Sequence, residues 1–381
     1  MFDVREKRSA EMQCLQFIRG FLGGRDAAPV AEPLIRHQWF EVNRLRIHYL
    51  QAGTEGCPVL LLHGGGLDAA GLSFQKTIPA LAKRHRVFAP DLPGFGQSDP
   101  MPVTWRVEEC VEFVARFLDA LGLKRASLVG ISMGGAFAVG FTLLAPERVE
   151  RLVLVDSAGL GSEIPGGLLS YFRVQMPLLD ELSWTALTAS RTLARRNLGT
   201  ALLSQKEVFS EEVLDQYLRL ARRAGAGTAF RQLQRSEYQW KGMRTNYLDQ
   251  LSEINVPTLL VHGMEDRIVP VIWAERAHRL IKNSTLELIP ECGHLPPIEK
   301  PDLFNRMIRR FLLRRSTLTG YRDQMFPDSQ SFIRALRRGW SMGKRCFNCS
   351  GAGALLSSAS FPDAVQPPSK LNANSAKRSN H

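Results

Sequence analysis

The stretch that most constrains this chain is Gly130-Ile131-Ser132-Met133-Gly134. The apolar run Ala126-Ser127-Leu128-Val129 leads into it, and a run of helical character, Gly135 to Ala145, leads out. In a strand, tight turn and helix with serine at the apex, the chain passes very close to itself on both sides of the serine. The residues two before and two after can carry almost no side chain, and both are glycine here. The same turn aims the first N–H groups of the helix at the serine oxygen, where negative charge would develop. A turn of this kind needs a sheet to hold the strand, a layer to cover the helix, and partners for the serine.

The flanking sequence supplies a sheet. Trp39 to Val42 and Leu45 to Leu50 read as two strands around an Asn43-Arg44 turn. Pro58 to Leu62 is a continuous apolar strand of the kind buried on both faces, and it runs into His63-Gly64-Gly65-Gly66. A helix is expected from about Leu72 to Arg84, a strand at Arg86 to Pro90, and a helix from Val107 to Leu121 ending at Gly122. Val149 to Val155 is another strand, ending at Asp156. Strands alternating with helices imply a mostly parallel sheet with right-handed crossovers.

The rhythm stops near Leu160. To about Asn246 only helical patterns appear, the clearest at Glu211 to Arg223, with no convincing strand. It resumes at Pro257 to Gly263, followed by a helix Val271 to Ile281, a strand Thr285 to Ile289 and a helix Pro301 to Leu313. The expected organisation is an arm and linker at 1–33, an α/β core at 34–159 and 247–314, a helical cap at 160–246 and a tail at 315–381. The cap belongs over the carboxyl ends of the strands, where open α/β sheets bind ligands.

Charge separates the tail from the rest. The 381 residues carry a net +12, and residues 315–381 hold ten basic against three acidic residues, whereas residues 1–33 are balanced. The tail, rich in Ser, Ala, Asn and Pro from Gly351 on, is expected to be largely disordered and solvated. Nucleic acid is not an expected partner. Residues 3–22 suit a modest amphipathic helix, so peripheral membrane contact through the arm or the tail is the minority reading. No apolar run is long enough to span a bilayer and no secretory signal is convincing, so the expected compartment is the cytoplasm. The six cysteines show no disulfide framework. Cys346 and Cys349 form a C-x-x-C pair without a second pair at zinc-site spacing, and no metal or cofactor is expected.

A serine hydroxyl is a weak nucleophile until a base takes its proton, and the base needs an orienting acid. Asp266 lies just beyond the strand at 257–262, and His294 just beyond the strand at 285–289. Each sits in a loop leaving a strand's carboxyl end, as Ser132 does, so the three can converge at one rim of a sheet. The expected roles are Ser132 as nucleophile, His294 as base and Asp266 as orienting acid. Asp156 is the other strand-end acid. The N–H of Met133 and the N–H of Gly65 are the expected oxyanion donors. His63, Asp91 and His262 are read as residues that brace their loops.

Taken together, Leu62-His63-Gly64-Gly65-Gly66, Asp91-Leu92-Pro93-Gly94-Phe95-Gly96, Gly130 to Gly135, His262-Gly263 with Asp266, and Gly293-His294 resemble the α/β-hydrolase superfamily from about Val42 to Leu313. The resemblance implies an eight-stranded, mostly parallel sheet with helices on both faces and a helical cap. Serine at the elbow argues against the haloalkane dehalogenase and epoxide hydrolase branches, which place aspartate there. The triple glycine and Ala69-Ala70-Gly71 resemble the carbon–carbon-bond hydrolases of ring-fission products. Those typically carry asparagine after the elbow glycines and tryptophan after the catalytic histidine, where Ala136 and Leu295 stand here. The expected function is therefore a carboxylic-ester hydrolase working on a small-molecule acyl ester through an acyl-enzyme. A carbon–carbon-bond hydrolase or an acyltransferase on the same triad is the alternative, and a slow ligand receptor a further one.

Overall fold

A computed structural model describes residues 33–100, 106–188, 190–204 and 210–314. The expectations for the N-terminal arm up to residue 32, for the basic tail at 315–381 and for Cys346 and Cys349 lie outside the described residues.

The strands, in chain order, are β1 (Arg36–Val42), β2 (Leu45–Ala52), β3 (Pro58–Leu62), β4 (Arg86–Pro90) and β5 (Ala126–Ile131). They continue with β6 (Val149–Val155), β7 (Tyr238–Gln239), β8 (Gly242–Met243), β9 (Thr258–Gly263) and β10 (Ser284–Ile289). Eight of them form one sheet in the order β1-β2-β4-β3-β5-β6-β9-β10. β1 and β2 join through Asn43 and Arg44, both with positive φ, as a tight two-residue hairpin requires. β2 runs antiparallel to both β1 and β4, and the other pairs of the sheet are parallel. Alternate residues of the central strands divide between two apolar layers. Val59 and Leu61, Val129 and Ile131, Val153 and Val155, and Leu259 and Val261 share a core with Phe74, Ile78, Phe304 and Ile308. These last four belong to or flank helices Thr77–Ala82 and Pro301–Leu313. The opposite face is covered by helices Val107–Ala120 and Met133–Leu144, which pack so closely that a methyl on Gly140 would lie 2.6 Å from a Val111 methyl.

The expected helix at 72–84 is two pieces, Ala70–Ser73 and Thr77–Ala82. Pro79 lacks an N–H and fits only a first helical turn, so the chain restarts the helix just before it. Between β6 and β9 the described residues form helices Gly167–Gln175, Pro177–Thr188, Arg191–Leu202, Glu211–Ala221 and Thr228–Glu237. They also form a strand pair that the sequence pattern does not announce, β7 with β8. Two-residue strands are too short to show alternation. Among the described residues no helix is long and apolar enough to cross a membrane.

Candidate active site

The turn after β5 is built as its sequence demands. Ser132 sits at φ 52°, ψ −118°, a conformation that side chains other than hydrogen rarely adopt. A methyl on Gly130 would lie 2.4 Å from the Gly134 oxygen, and one on Gly134 would lie 2.2 Å from the Leu62 oxygen. Both glycines are therefore obligatory. The turn is pinned to the next strand, because Ser132 N–H donates to Val155 O (2.9 Å) and Ala158 N–H donates to Ser132 O (3.0 Å).

Asp266 and His294 come together beyond β9 and β10. The carboxylate accepts from His294 Nδ1 through Oδ2 (2.7 Å), and through Oδ1 from the N–H groups of Ile268 (2.7 Å) and Val269 (3.1 Å). Burial opposes the charge on Asp266, but the imidazole and these donors outweigh it and hold the carboxyl below the usual range. His294 is 4 % exposed and lines a cavity of about 800 Å³ together with Ser132. The Ser132 hydroxyl opens onto this cavity without a hydrogen bond to His294.

The loop after β3 faces the serine from the other side. A methyl on Gly64 would come 3.6 Å from Ser132 Cβ, and one on Gly65 would collide with the Phe230 ring at 2.1 Å. The amides of Gly65 and Met133 have no acceptor among the described residues. His63 donates from Nδ1 to Gly64 O (2.8 Å) and accepts from Leu92 N–H at Nε2 (2.9 Å), so both ring nitrogens serve the loop. Asp91 accepts from Ala70 N–H, Gln97 N–H and His48, which ties the loops after β3 and β4 together.

Three carboxylates of the site go beyond the triad expectation. Asp68 accepts from Gly64 N–H (2.9 Å), Ala69 N–H (2.7 Å) and Ser73 Oγ (2.6 Å), shaping the glycine loop from the cavity side. Burial raises its pKa, and His63 and the three donors partly offset that. Glu299 accepts from the N–H groups of Gly293 (2.9 Å) and Leu295 (3.2 Å), on either side of His294, and from Ser204 (2.8 Å). Asp156, fully buried, accepts from Gly263 N–H (2.9 Å) and does not bond His294. Asp68 and Glu299 had a faint signal: each lies within five residues of a motif and follows residues that turn the chain. Asp156, His262 and Asp266 offer ligand atoms within 4.8 Å of one another. The Asp266 oxygens and His262 Nε2, which donates to Val269 O (3.0 Å), are already engaged by other groups of the protein.

The cavity roof comes from the helical insertion. Arg173, Trp184, Leu198, Val213, Tyr217 and Phe230 face Ser132 and His294 across it. The exposed wall surface is mainly apolar, with charged groups at Asp68, Arg173, Arg196 and Arg267.

The α/β-hydrolase fold family model matches residues 58–301. The chain belongs to the α/β-hydrolase family. It is 35 % identical over 276 residues to a 2-hydroxy-6-oxononadienedioate/2-hydroxy-6-oxononatrienedioate hydrolase of Burkholderia vietnamiensis, covering 71 % of this chain and 92 % of that one. It is 31 % identical over 269 residues to a 2-hydroxy-6-oxo-2,4-heptadienoate hydrolase of Pseudomonas putida, covering 70 % and 91 %. Among solved structures it is similar to a mutant of the meta-cleavage product hydrolase of Pseudomonas fluorescens IP01, complexed with acetates. That similarity has a TM-score of 0.62 at 28 % identity, over 72 % of this chain and 96 % of that one. This member of the α/β-hydrolase family is a hydrolase whose similarities run to carbon–carbon-bond hydrolases.

Proposed function

We propose that this protein hydrolyses a carbon–carbon bond next to a ketone in a conjugated oxo-dienoate, with Ser132 as nucleophile, His294 as base and Asp266 as orienting acid. The observation that carries the reading is the pairing of this triad and glycine-rich donor loop with relatives of that activity at 31–35 % identity over about nine-tenths of their length. Ser132 Oγ adds to the ketone carbon while His294 takes its proton. The resulting oxyanion is received by the N–H groups of Gly65 and Met133. Collapse breaks the carbon–carbon bond. Before cleavage the 2-hydroxyl proton moves to the carbon beside the ketone, giving the 2-keto tautomer. The departing electron pair then passes through the remaining double bond to the 2-carbonyl oxygen as a dienolate, and His294 returns the proton to that oxygen. Water, activated by His294, then releases the acid from Ser132. Residues 160–246 serve as the cap that excludes bulk water while this happens.

A dienoate brings its own carboxylate. Arg196 and Arg267 line the cavity, and neither is in an ion pair among the described residues. Either guanidinium can take that carboxylate, which an ester substrate would lack. A second reading, carboxylic-ester hydrolysis, is favoured by Leu295, an apolar wall beside His294 that offers an acyl group no polar contact.

The test is a substrate panel with Ser132→Ala as control. The purified enzyme should bleach a 2-hydroxy-6-oxo-hexa-2,4-dienoate with a higher kcat/KM than it shows toward nitrophenyl esters. Ser132→Ala should lose about 10⁴-fold or more. Turnover of esters alone would move the assignment to the second reading, and full activity in Ser132→Ala would remove both.

A further inference from the structure

We infer that Asp156 is a positioning residue: its carboxyl, as the neutral acid, donates a hydrogen bond to the Asp266 carboxylate and holds it against His294. This deepens the proposed function and rests on its triad.

The place of Asp156 is unusual. It follows β6 directly, and its two sides are tied to the nucleophile, since Val155 O accepts from Ser132 N–H and Ala158 N–H donates to Ser132 O. Its backbone has φ 42°, a conformation costly for a side chain that glycine would hold without strain. A carboxyl at such a position, 0 % exposed, needs partners. Oδ1 accepts from Gly263 N–H, while no N–H reaches Oδ2.

The surroundings decide the protonation state. The charged and titratable groups around Asp156 are Asp266 in the loop after β9, His262 on β9, His294 and Cys292 after β10, and Glu299 in the helix that follows. No lysine or arginine is paired with it among the described residues. His262 comes within 3.5 Å of Oδ1, but its Nε2–H is spent on Val269 O, and burial holds the ring neutral. An ionised Asp156 would therefore place a second negative charge beside Asp266 with one shared imidazole to offset both. Burial and the neighbouring Asp266 charge both push its proton affinity up. The orphan Oδ2 is accounted for as an O–H, and the neighbouring acceptor is the Asp266 carboxylate, the two groups having oxygens within 4.8 Å of each other. The arrangement gives Asp266 a further donor besides His294, Ile268 and Val269. It also keeps one net negative charge behind the base. The end of β6 and the turn that follows it, which carry the nucleophile's two backbone partners, thereby also carry a support for the acid.

Loss of the Asp156 proton at high pH would remove that donor and add a second negative charge beside Asp266. Asparagine at 156 keeps both functions, accepting from Gly263 and donating to Asp266, and cannot lose the donor to base. Leucine keeps the γ-branched shape with somewhat more bulk and removes both. The experiment compares kcat and KM across pH for Asp156→Asn and Asp156→Leu, with Ser132→Ala as control, and adds carboxyl carbon-13 NMR on Asp-labelled Ser132→Ala protein. Asp156→Leu should lose about tenfold or more in kcat with KM moved about twofold at most, and Asp156→Asn should restore most of that loss. The alkaline limb should extend further in Asp156→Asn than in the wild type, and the NMR should show one aspartic carboxyl still protonated at neutral pH, absent when Asp156 is replaced. Wild-type kcat and pH profile in Asp156→Leu would overturn the inference, as would an equal fall in both variants or a fully ionised Asp156 signal. Full turnover in Ser132→Ala would instead overturn the triad, a result separable from the NMR.

Discussion

At the scale of single residues, the site is a set of carboxyls in different charge states. Asp266 is held as the anion by His294 and two amides. Asp266→Asn keeps the shape but presents the wrong group to His294 Nδ1. It should lower kcat by about 10³–10⁴-fold at neutral pH, checked by steady-state turnover against a folded control. Asp156 has the opposite bias, and its pH signature lies in stability. Its folded-state pKa is raised, so above the ordinary aspartate range the folded protein holds a proton that the unfolded chain has released. Stability then falls as pH rises through that interval, by up to about 1.4 kcal/mol per pH unit. Asp156→Asn removes this dependence. Its advantage over the wild type in urea unfolding should be absent near pH 3 and grow as pH rises through about 4 and beyond. Ser132, Asp266 and His294 were legible because each follows an apolar strand and so must emerge at a sheet rim. Asp68 and Glu299 carried only the faint signal of lying near a motif, since a carboxylate that bonds backbone amides is hard to tell from a surface acid in the sequence.

At the scale of elements, the glycine-rich loop after β3 and the insertion are one packing unit. The Phe230 ring, on helix Thr228–Glu237, occupies the space a side chain at 65 would need. Gly65→Ala should therefore displace the loop and cost at least about tenfold in kcat, the lower end of what a misplaced donor costs. Phe230→Ala opens that space, so the double variant should recover part of the loss. A double-mutant cycle on kcat measures the coupling, and strict additivity would show that the two elements act separately. The histidine loop has a comparable brace in Glu299, whose removal strands one buried amide, that of Gly293, and two half-buried ones, those of Leu295 and Ser204. Glu299→Ala should lower unfolding free energy by about 2–4 kcal/mol, read from denaturant midpoints. The helices of the core were readable from their 3.6-residue period, and the strands from apolar runs that end in glycine. What the pattern hid were breaks set by one residue, such as the restart before Pro79, and the hairpin Tyr238–Met243, which is fixed by tertiary hydrogen bonds. One of these is Met243 N–H to Ser162 O (2.7 Å).

At the scale of the whole molecule, the question is what holds the insertion to the sheet while leaving room for substrate. One polar fastening is Arg244, just beyond the β7–β8 hairpin. It grips Glu108 of helix Val107–Ala120 with both terminal nitrogens and also reaches Glu237 (Nε at 3.1 Å). Glu237 is 4 % exposed and also accepts from Thr245 N–H (2.9 Å). Removing the cation leaves one buried carboxylate and one half-buried one without their partner, which costs far more than the pair contributes relative to apolar packing. Arg244→Met should destabilise the fold by about 3–5 kcal/mol at neutral pH. The pH dependence has a definite sign. Burial tends to raise the Glu108 pKa, but the Arg244 bonds outweigh it and hold it below the usual range. A depressed carboxyl contributes stability above the ordinary glutamate pKa and loses it as pH falls through the folded value. The gap between wild type and Arg244→Met should therefore narrow below about pH 4, when the carboxyls take up protons. Urea unfolding at several pH values measures the gap, and native-state hydrogen exchange shows where it acts. If Arg244 fastens the insertion, amides of helix Thr228–Glu237 should lose protection in the variant before those of β5 and β6. Uniform loss across both regions would mean that insertion and sheet unfold together, and that substrate reaches Ser132 without the insertion opening as a separate unit.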